Sequence, residues 1–314
     1  MIGSVLTVTM NPAVDKTVTV DKFSFGQLNR ITSVRLDAGG KGINVAKVLK
    51  HFSVDVSAWG LQCGPEGQML MTKLREYGIP SHFLEAEGRT RVNLKVVDEF
   101  TKQTTELNEP GFSPSPKLLD EFVQRFKAGL EGVSLVVLGG SLPPGTPGDF
   151  YKQLIQTANG QGVRTILDAD GEALAKGIEA APYAIKPNIH ELETLIGAPL
   201  TSDEAIAIAG RKLVRSGIAN VIVSMGGSGS IIVNSEQAFR VKPFPIEPKS
   251  TVGAGDSMVA AMVYCYLHNK SLEETARWTS AAGTVTASKQ GTEVCTLNEV
   301  QEKLELVDIC PLTV

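Results

Sequence analysis

One stretch of the chain has the residue types for moving a charged group: Ser250-Thr-Val-Gly-Ala-Gly-Asp-Ser, running straight into the apolar segment Met258-Val-Ala-Ala-Met-Val-Tyr-Cys-Tyr-Leu. A small-residue turn feeding a helix leaves backbone N–H groups unpaired at the helix start. The N–H groups of Ala254, Gly255 and Asp256 are expected to be free, and with the helix dipole they form a cradle for charge on a transferring phosphoryl group. Gly253 and Gly255 permit the tight turn and a close ligand approach. Asp256 is expected at the N-cap, where it either caps its own helix or points across a cleft as the base that accepts a hydroxyl proton. The helix N-terminus is expected to keep it ionised, and so a weak base.

Other segments carry polar groups at places where a ligand is bound. Asn11-Pro-Ala-Val-Asp15 follows the first apolar strand, which sets Asp15 at the carboxyl edge of a sheet, as a ligand group or as a plain turn carboxylate. Gly39-Gly-Lys-Gly is not a nucleotide P-loop, because position 35 is Arg and Gly42 stands where a magnesium-binding Ser or Thr is needed. Lys41 reads as a cation facing a sugar or phosphate, or as an exposed structural lysine. Arg89-Thr-Arg91-Val-Asn93 offers planar guanidinium groups suited to phosphate. Lys186-Pro-Asn188-Ile-His-Glu191 puts Asn188 and Glu191 on one helix face, as oxygen donors to a hard cation or as a helix cap. Ser224-Met-Gly-Gly-Ser-Gly229 is a glycine turn after a strand.

The elements that must hold these groups alternate. Strand-like runs at Val5–Thr9, Leu135–Leu138, Thr165–Asp168, Tyr183–Lys186 and Asn220–Ser224 are separated by helical periodicity. Helices are expected over 42–52, 67–77, 117–128, 149–160, 188–196, 203–216, 256–268 and 272–289. This rhythm predicts a parallel sheet covered by crossover helices on both faces. Thr17–Phe23 and Val92–Asp98 instead alternate like half-buried strands, with 103–107 as a hairpin return, and predict a small sheet that closes over the strand ends as a lid.

Composition limits the alternatives. Thirty basic against 34 acidic residues, a formal charge of −4, exclude a protein that coats nucleic acid. The 42% hydrophobic content supplies a core, and 314 residues fit one large α/β domain with an addition. Cys63, Cys265, Cys295 and Cys310 form no metal or redox spacing, and no window reaches the roughly 18 apolar residues of a membrane span. A cytoplasmic protein with reduced thiols is expected. His51, His82, His190 and His268 have no partner spacing for zinc or a nucleophile triad.

Thr251-Val-Gly-Ala-Gly-Asp-Ser and Gly39-Gly-Lys-Gly-Ile-Asn-Val-Ala together resemble the two signatures of the ribokinase-like (PfkB-type) carbohydrate kinases, in the right order and over essentially the whole chain. The resemblance implies a three-layer α/β domain spanning 1–314, with a β lid formed by about 16–35 and 89–109. It implies ATP with Mg2+, and Asp256 as base beside the Gly253, Ala254 and Gly255 cradle. Asp15, Gly39, Gly40, Lys41, Asn44 and Asn93 would line the sugar pocket. Arg30, Arg91 and Ser141 would hold a phosphate already on the sugar. Lys186, Asn188, Ser224, Gly226, Gly229, Thr251, Gly253 and Gly255 would face the nucleotide, with Asn188 and Glu191 organising magnesium through water. Adenine contacts are expected from the regions 243–251 and 281–288. Fructose 1-phosphate is the expected acceptor, tagatose 6-phosphate and then fructose 6-phosphate the alternatives, and a noncatalytic sugar-phosphate or nucleotide sensor the reading from another class. A homodimer through the lid is expected, with no nucleic-acid or membrane partner.

Overall fold

The computed structural model describes residues 3–313. The chain opens with β1 (Ser4–Thr9), leaves the core for β2 (Ala13–Val20) and β3 (Ile31–Gly39), and returns through α1 (Lys41–His51). β4 (Val56–Gln62), α2 (Gly64–Glu76) and β5 (Ser81–Glu85) follow, then a second excursion, β6 (Arg91–Asp98) and β7 (Thr104–Asn108). The core resumes with α3 (Pro116–Ala128), β8 (Val133–Gly139), α4 (Phe150–Asn159), β9 (Arg164–Asp168), α5 (Gly171–Gly177) and β10 (Ala184–Ile185). Next come α6 (Ile189–Ile196), α7 (Asp203–Arg215), β11 (Asn220–Ser224), β12 (Ser230–Val233) and β13 (Ala238–Lys242). The remaining elements are α8 (Ala254–Leu267), α9 (Leu272–Ala287), α10 (Leu297–Gln301) and β14 (Asp308–Pro311).

Ten strands form the central sheet in the order β14-β13-β12-β11-β10-β9-β8-β1-β4-β5. From β5 to β11 all neighbours are parallel, and β12, β13 and β14 add an antiparallel margin. Strand alternation sorts side chains to two cores: Leu135 and Val137 pack with α1, α2, α8 and α9, while Val136 and Leu138 pack with α3, α4, α5 and α7. The result is a helix–sheet–helix sandwich with helices on both faces. After β1 the chain builds β4 and β5 on one side and then crosses to β8 on the other. The β1/β8 boundary is therefore the switch point where a crevice opens at the carboxyl ends of the strands.

The two excursions pair as a separate four-stranded sheet, β3-β2-β6-β7, in which β2 and β6 are parallel and the outer pairs antiparallel. Its strands overrun the expected limits, β2 beginning at Ala13 and β3 ending at Gly39. Register puts Asp15, Thr17, Arg35, Asp37, Asn93 and Lys95 on one face, and Val14, Val18, Val34, Leu36, Leu94 and Leu107 on the other. The polar face, with Thr17, Arg35 and Lys95, lines a cleft of about 790 Å³ against residues 247–252 and 290–292 of the core.

The expected strand over 183–186 shortens to Ala184–Ile185. Lys186 and Pro187 already turn toward α6, and Pro187 has no N–H to extend a ladder.

Candidate active site

Site residues collect at the carboxyl edge of the parallel strands. Asn11 follows β1, Ser141 follows β8, Asp168 ends β9, Lys186 follows β10 and Ser224 ends β11. Asn11 Nδ2 donates to Ser141 Oγ at 3.4 Å, a bond across the switch point.

At the core end, Gly253 is the N-cap of α8 with φ 77°, a left-handed conformation that suits glycine. Asp256 consequently lies in the first turn of α8, three positions past the cap, and not at the N-cap itself. It makes no capping bond; its Oδ2 accepts from Asn44 Nδ2 at 2.8 Å. The contact exists because α1 packs along α8, and α1 is entered through its N-cap Gly40, whose φ of 120° and closeness to Thr9 leave no room for a Cβ. The Ala254 N–H is not free, since it donates to Thr251 O at 3.3 Å. The Gly255 and Asp256 N–H groups make no such bond and remain the cradle.

Burial, and then the neighbouring charge of Asp168, push the Asp256 carboxyl up to about 6, against the lowering effect of Asn44, Lys41 and Lys186. This reverses the expected depression by the helix terminus. A helix dipole acts on an exposed first-turn carboxylate, whereas here desolvation wins.

Asp168, which sequence reasoning left out, is the hub of the charges. Lys41 Nζ donates to Asp168 Oδ1 at 2.9 Å, and Lys186 Nζ stands 3.5 Å from Oδ2 as an ion pair without a direct hydrogen bond. Burial opposes ionisation of Asp168, but Lys186 and Lys41 hold its pKa below the usual carboxylate range. Burial likewise opposes the charge of Lys41, and Asp168 more than offsets it, raising its pKa above that of an ordinary lysine. Lys186 Nζ also lies 3.3 Å from where a Cβ on Gly255 would sit, so the cation faces the cradle directly. An acid ending the run Thr165-Ile-Leu-Asp168 was the signal available, the same signal that picked out Asp15.

At the lid end, Asp15 accepts from Asn93 Nδ2 at 3.0 Å on one oxygen and from Lys95 Nζ at 3.0 Å on the other. A Cβ on Gly39 would strike this carboxylate at 2.7 Å. Arg91 donates to Asn11 O at 3.0 Å, and its Nε is buried without a partner, as is Asn11 Oδ1. Arg91, Asn11 and Ser141 thus form a basic corner with unspent hydrogen-bonding capacity. Arg30 does not join them within its own chain. It precedes Ile31, which pairs with Val20 at the end of the lid sheet remote from Ala13 and Gly39, and it is exposed.

On the nucleotide side, Asn188 and Glu191 form a reciprocal capping box on α6: Asn188 Oδ1 accepts from the Glu191 N–H at 2.9 Å, and Glu191 Oε2 from the Asn188 N–H at 2.8 Å. Ser224 bridges in parallel to Asn188, which brings the 224–229 turn alongside. Gly229 has a packing reason of its own, since a Cβ there would meet Val241 O at 2.1 Å, while Gly226 faces open space. Thr251 is exposed in the loop before α8. A further cavity of about 580 Å³ lies between Phe244, Pro245 and Ile246 on one side and Val285, Ser288 and Leu306 on the other.

Residues 6–299 match the model of the pfkB family carbohydrate kinases. The 1-phosphofructokinase of Bacillus subtilis is 38% identical over 98% of this chain and 100% of its own length. That of Xanthomonas campestris is 39% identical over 88% of each chain. Among solved structures, phosphofructokinase-2 from Escherichia coli in complex with potassium superimposes with a TM-score of 0.91 at 33% identity, covering 97% of this chain and 99% of that one.

Proposed function

Because the chain belongs to the pfkB family of carbohydrate kinases, we propose that it transfers the γ-phosphoryl group of ATP to fructose 1-phosphate, giving fructose 1,6-bisphosphate. The observation that carries this is the buried Asp256 carboxylate, turned away from its own helix toward Asn44 and raised to about 6 beside two free N–H groups. A carboxylate with a pKa just below neutrality is ionised at working pH yet basic enough to take a hydroxyl proton. Lys41 and Lys186 face the same spot and stabilise charge that builds up during transfer. The transfer is direct and in line, with no covalent phosphoenzyme.

Arg91, Asn11 and Ser141 hold the phosphate already on the sugar, while Asp15 and Asn93 accept and donate to its hydroxyls. Similarity to two 1-phosphofructokinases, over 98% and 88% of this chain, favours the 1-phosphate over tagatose 6-phosphate and fructose 6-phosphate. The cavity with Phe244, Ile246 and Val285 on its walls and Ser288, Lys289 and Glu299 at its polar side offers both apolar surface and hydrogen-bonding groups to adenine, with Ser224 and Gly226 nearer the phosphates.

Magnesium fits the donor set. Glu191 Oε1 is left over from the capping box, and Asp168 Oδ2 lacks a hydrogen-bond donor, so two carboxylate oxygens are available to a hard cation directly or through its waters. Bound with ATP, the ion neutralises phosphate charge. Among the described residues no group of three or more His, Cys, Asp or Glu surrounds one point, which fits a metal held mainly by phosphate and water.

The apolar face of the lid, with Val34, Leu36 and Leu107 exposed and Phe23, Phe25 and Leu28 in the adjoining loop, is covered in our reading by a second copy of the chain. No helix of the described residues is long and apolar enough to cross a membrane, and a cytoplasmic location supplies both substrates.

An ATP-consumption assay tests the reading by kcat/KM on fructose 1-phosphate, tagatose 6-phosphate, fructose 6-phosphate and fructose. The 1-phosphate is expected to lead. Preference for another ester would move the assignment to that sugar, and absence of sugar-dependent turnover would refute it.

A further inference from the structure

Among the described residues, one side-chain hydrogen bond crosses the cleft of about 790 Å³ between the polar face of the lid and the core: Arg35 of β3 donates to Thr292. The guanidinium is shared between the two sides. Its Nε donates to Asp37 Oδ2 at 2.8 Å within the lid, and its Nη2 to Thr292 Oγ1 at 3.2 Å on the core. It also lies against Gly291, where a Cβ would collide with it, so the glycine leaves the space that the guanidinium fills.

On both sides the contact continues toward the site. In the lid, Asp37 stands directly opposite Asp15 in the β2–β3 register and on the same face. In the core, Ser250 Oγ donates to Gly291 O at 2.7 Å and accepts the Val252 N–H at 3.2 Å, while the N–H groups of Lys249 and Ser250 donate to Ala287 O. Residues 249–252 are thus moored to the end of α9 and to Gly291. They run straight into Gly253, the cap from which the Gly255 and Asp256 N–H groups are presented. Arg35 therefore joins the strand pair that carries Asp15 to the loop that sets the phosphate cradle.

One hydrogen bond from a side chain that is 41% exposed is too weak to hold the lid down by itself. A sugar phosphate gripped by Asp15 on the lid and by Asp256 in the core supplies the remainder, and the bond then forms with its partners already in place. Resting on the sugar-phosphate reading above, we propose that Arg35 is a positioning residue: with the lid held by the sugar phosphate, it fixes 290–292 and, through Ser250, the cradle loop, so that bound sugar tightens the binding of ATP. By linkage, ATP tightens the binding of the sugar phosphate by the same factor.

Calorimetric titration tests this with fructose 1-phosphate and magnesium AMP-PNP, a non-transferring analogue of ATP, each alone and each in the presence of the other. The wild type is expected to bind the nucleotide about tenfold tighter once the sugar phosphate saturates it. Arg35→Met and Thr292→Val should keep the affinity for each ligand alone and bring that ratio close to one. In turnover at saturating sugar phosphate they should raise KM for ATP about tenfold with kcat largely kept. Arg35→Lys should behave as Arg35→Met, because an ammonium lacks the fork that spans Asp37 and Thr292. A ratio preserved in Arg35→Met or in Thr292→Val, or absent from the wild type, would overturn the inference. So would weakened binding of AMP-PNP alone in both variants, which would make Arg35 a plain support of the nucleotide loop. Wild-type protein that fails to bind fructose 1-phosphate with or without nucleotide would instead refute the sugar-phosphate reading.

Discussion

The two ends of the cleft are built on opposite principles. At the core end Lys41, Lys186, Asp168 and Asp256 are packed at strand and helix termini, with both lysines within 3.5 Å of Asp168 and Asp256 held by Asn44. At the lid end the charges sit on a four-stranded sheet with no helix layer of its own, and several buried polar atoms, Arg91 Nε, Asn11 Oδ1, Asn93 Oδ1 and Thr17 Oγ1, await partners. Opposed buried charges suit a step that needs fixed electrostatics, and unmatched polar atoms suit recognition, since the ligand completes them. In this account the core end performs transfer and the lid end performs selection.

The sharpest way to break that division is Asp256→Asn. It should lower kcat by about 10²- to 10⁴-fold with ATP binding kept, as read by turnover and calorimetric titration. The same variant should be more stable near pH 7, by about 3 kcal/mol at most. The sign follows from the raised pKa. Above about 6 the carboxylate is charged in both states but favours the unfolded one, and the amide removes that penalty. Asp168→Asn should have the opposite effect on stability, losing about 3–5 kcal/mol in denaturant melts, because the buried Lys186 is left without its counter-charge. Arg91→Ala, a change at the selection end, should raise KM for the sugar phosphate about ten- to a hundredfold with kcat largely kept. A collapse of kcat instead would put Arg91 in the transfer step. Smallest in catalytic effect should be Leu36→Asp with Leu107→Asp on the outer lid face, which should halve the mass seen by light scattering and leave the core chemistry in place.

The transfer end was largely legible in the sequence, because a small-residue loop meeting a wholly apolar helix has few structural solutions. What it hid was position within the turn. Gly253 takes the cap because only it adopts the left-handed angle easily, and this moves Asp256 inward, where burial outweighs the dipole. The partner of Lys41 was hidden for another reason: Asp168 lies 127 positions away and meets it only through the strand order. β1, β8, β9, β10 and β11 showed themselves through alternating periodicity, but the parallel β4 and β5, whose runs are broken by polar residues and glycine, did not, nor did β12, β13 and β14, since short antiparallel strands are defined by pairing more than by composition. The bounds of β3 were hidden because most of its residues are exposed and polar, and nothing local to Arg30 says that the chain first turns at the far end of the lid.

The pH dependence of kcat/KM for fructose 1-phosphate, compared between wild type and Asp168→Asn, tests most directly whether Asp256 is the base and Asp168 its tuner. The account predicts a rate that falls as pH drops through about 6 in the wild type, and a limb displaced to lower pH in the variant, where the charge that raises Asp256 is gone. A limb that stays in place would belong to a substrate phosphate, and would contradict the assignment of Asp256 as the group whose ionisation controls transfer.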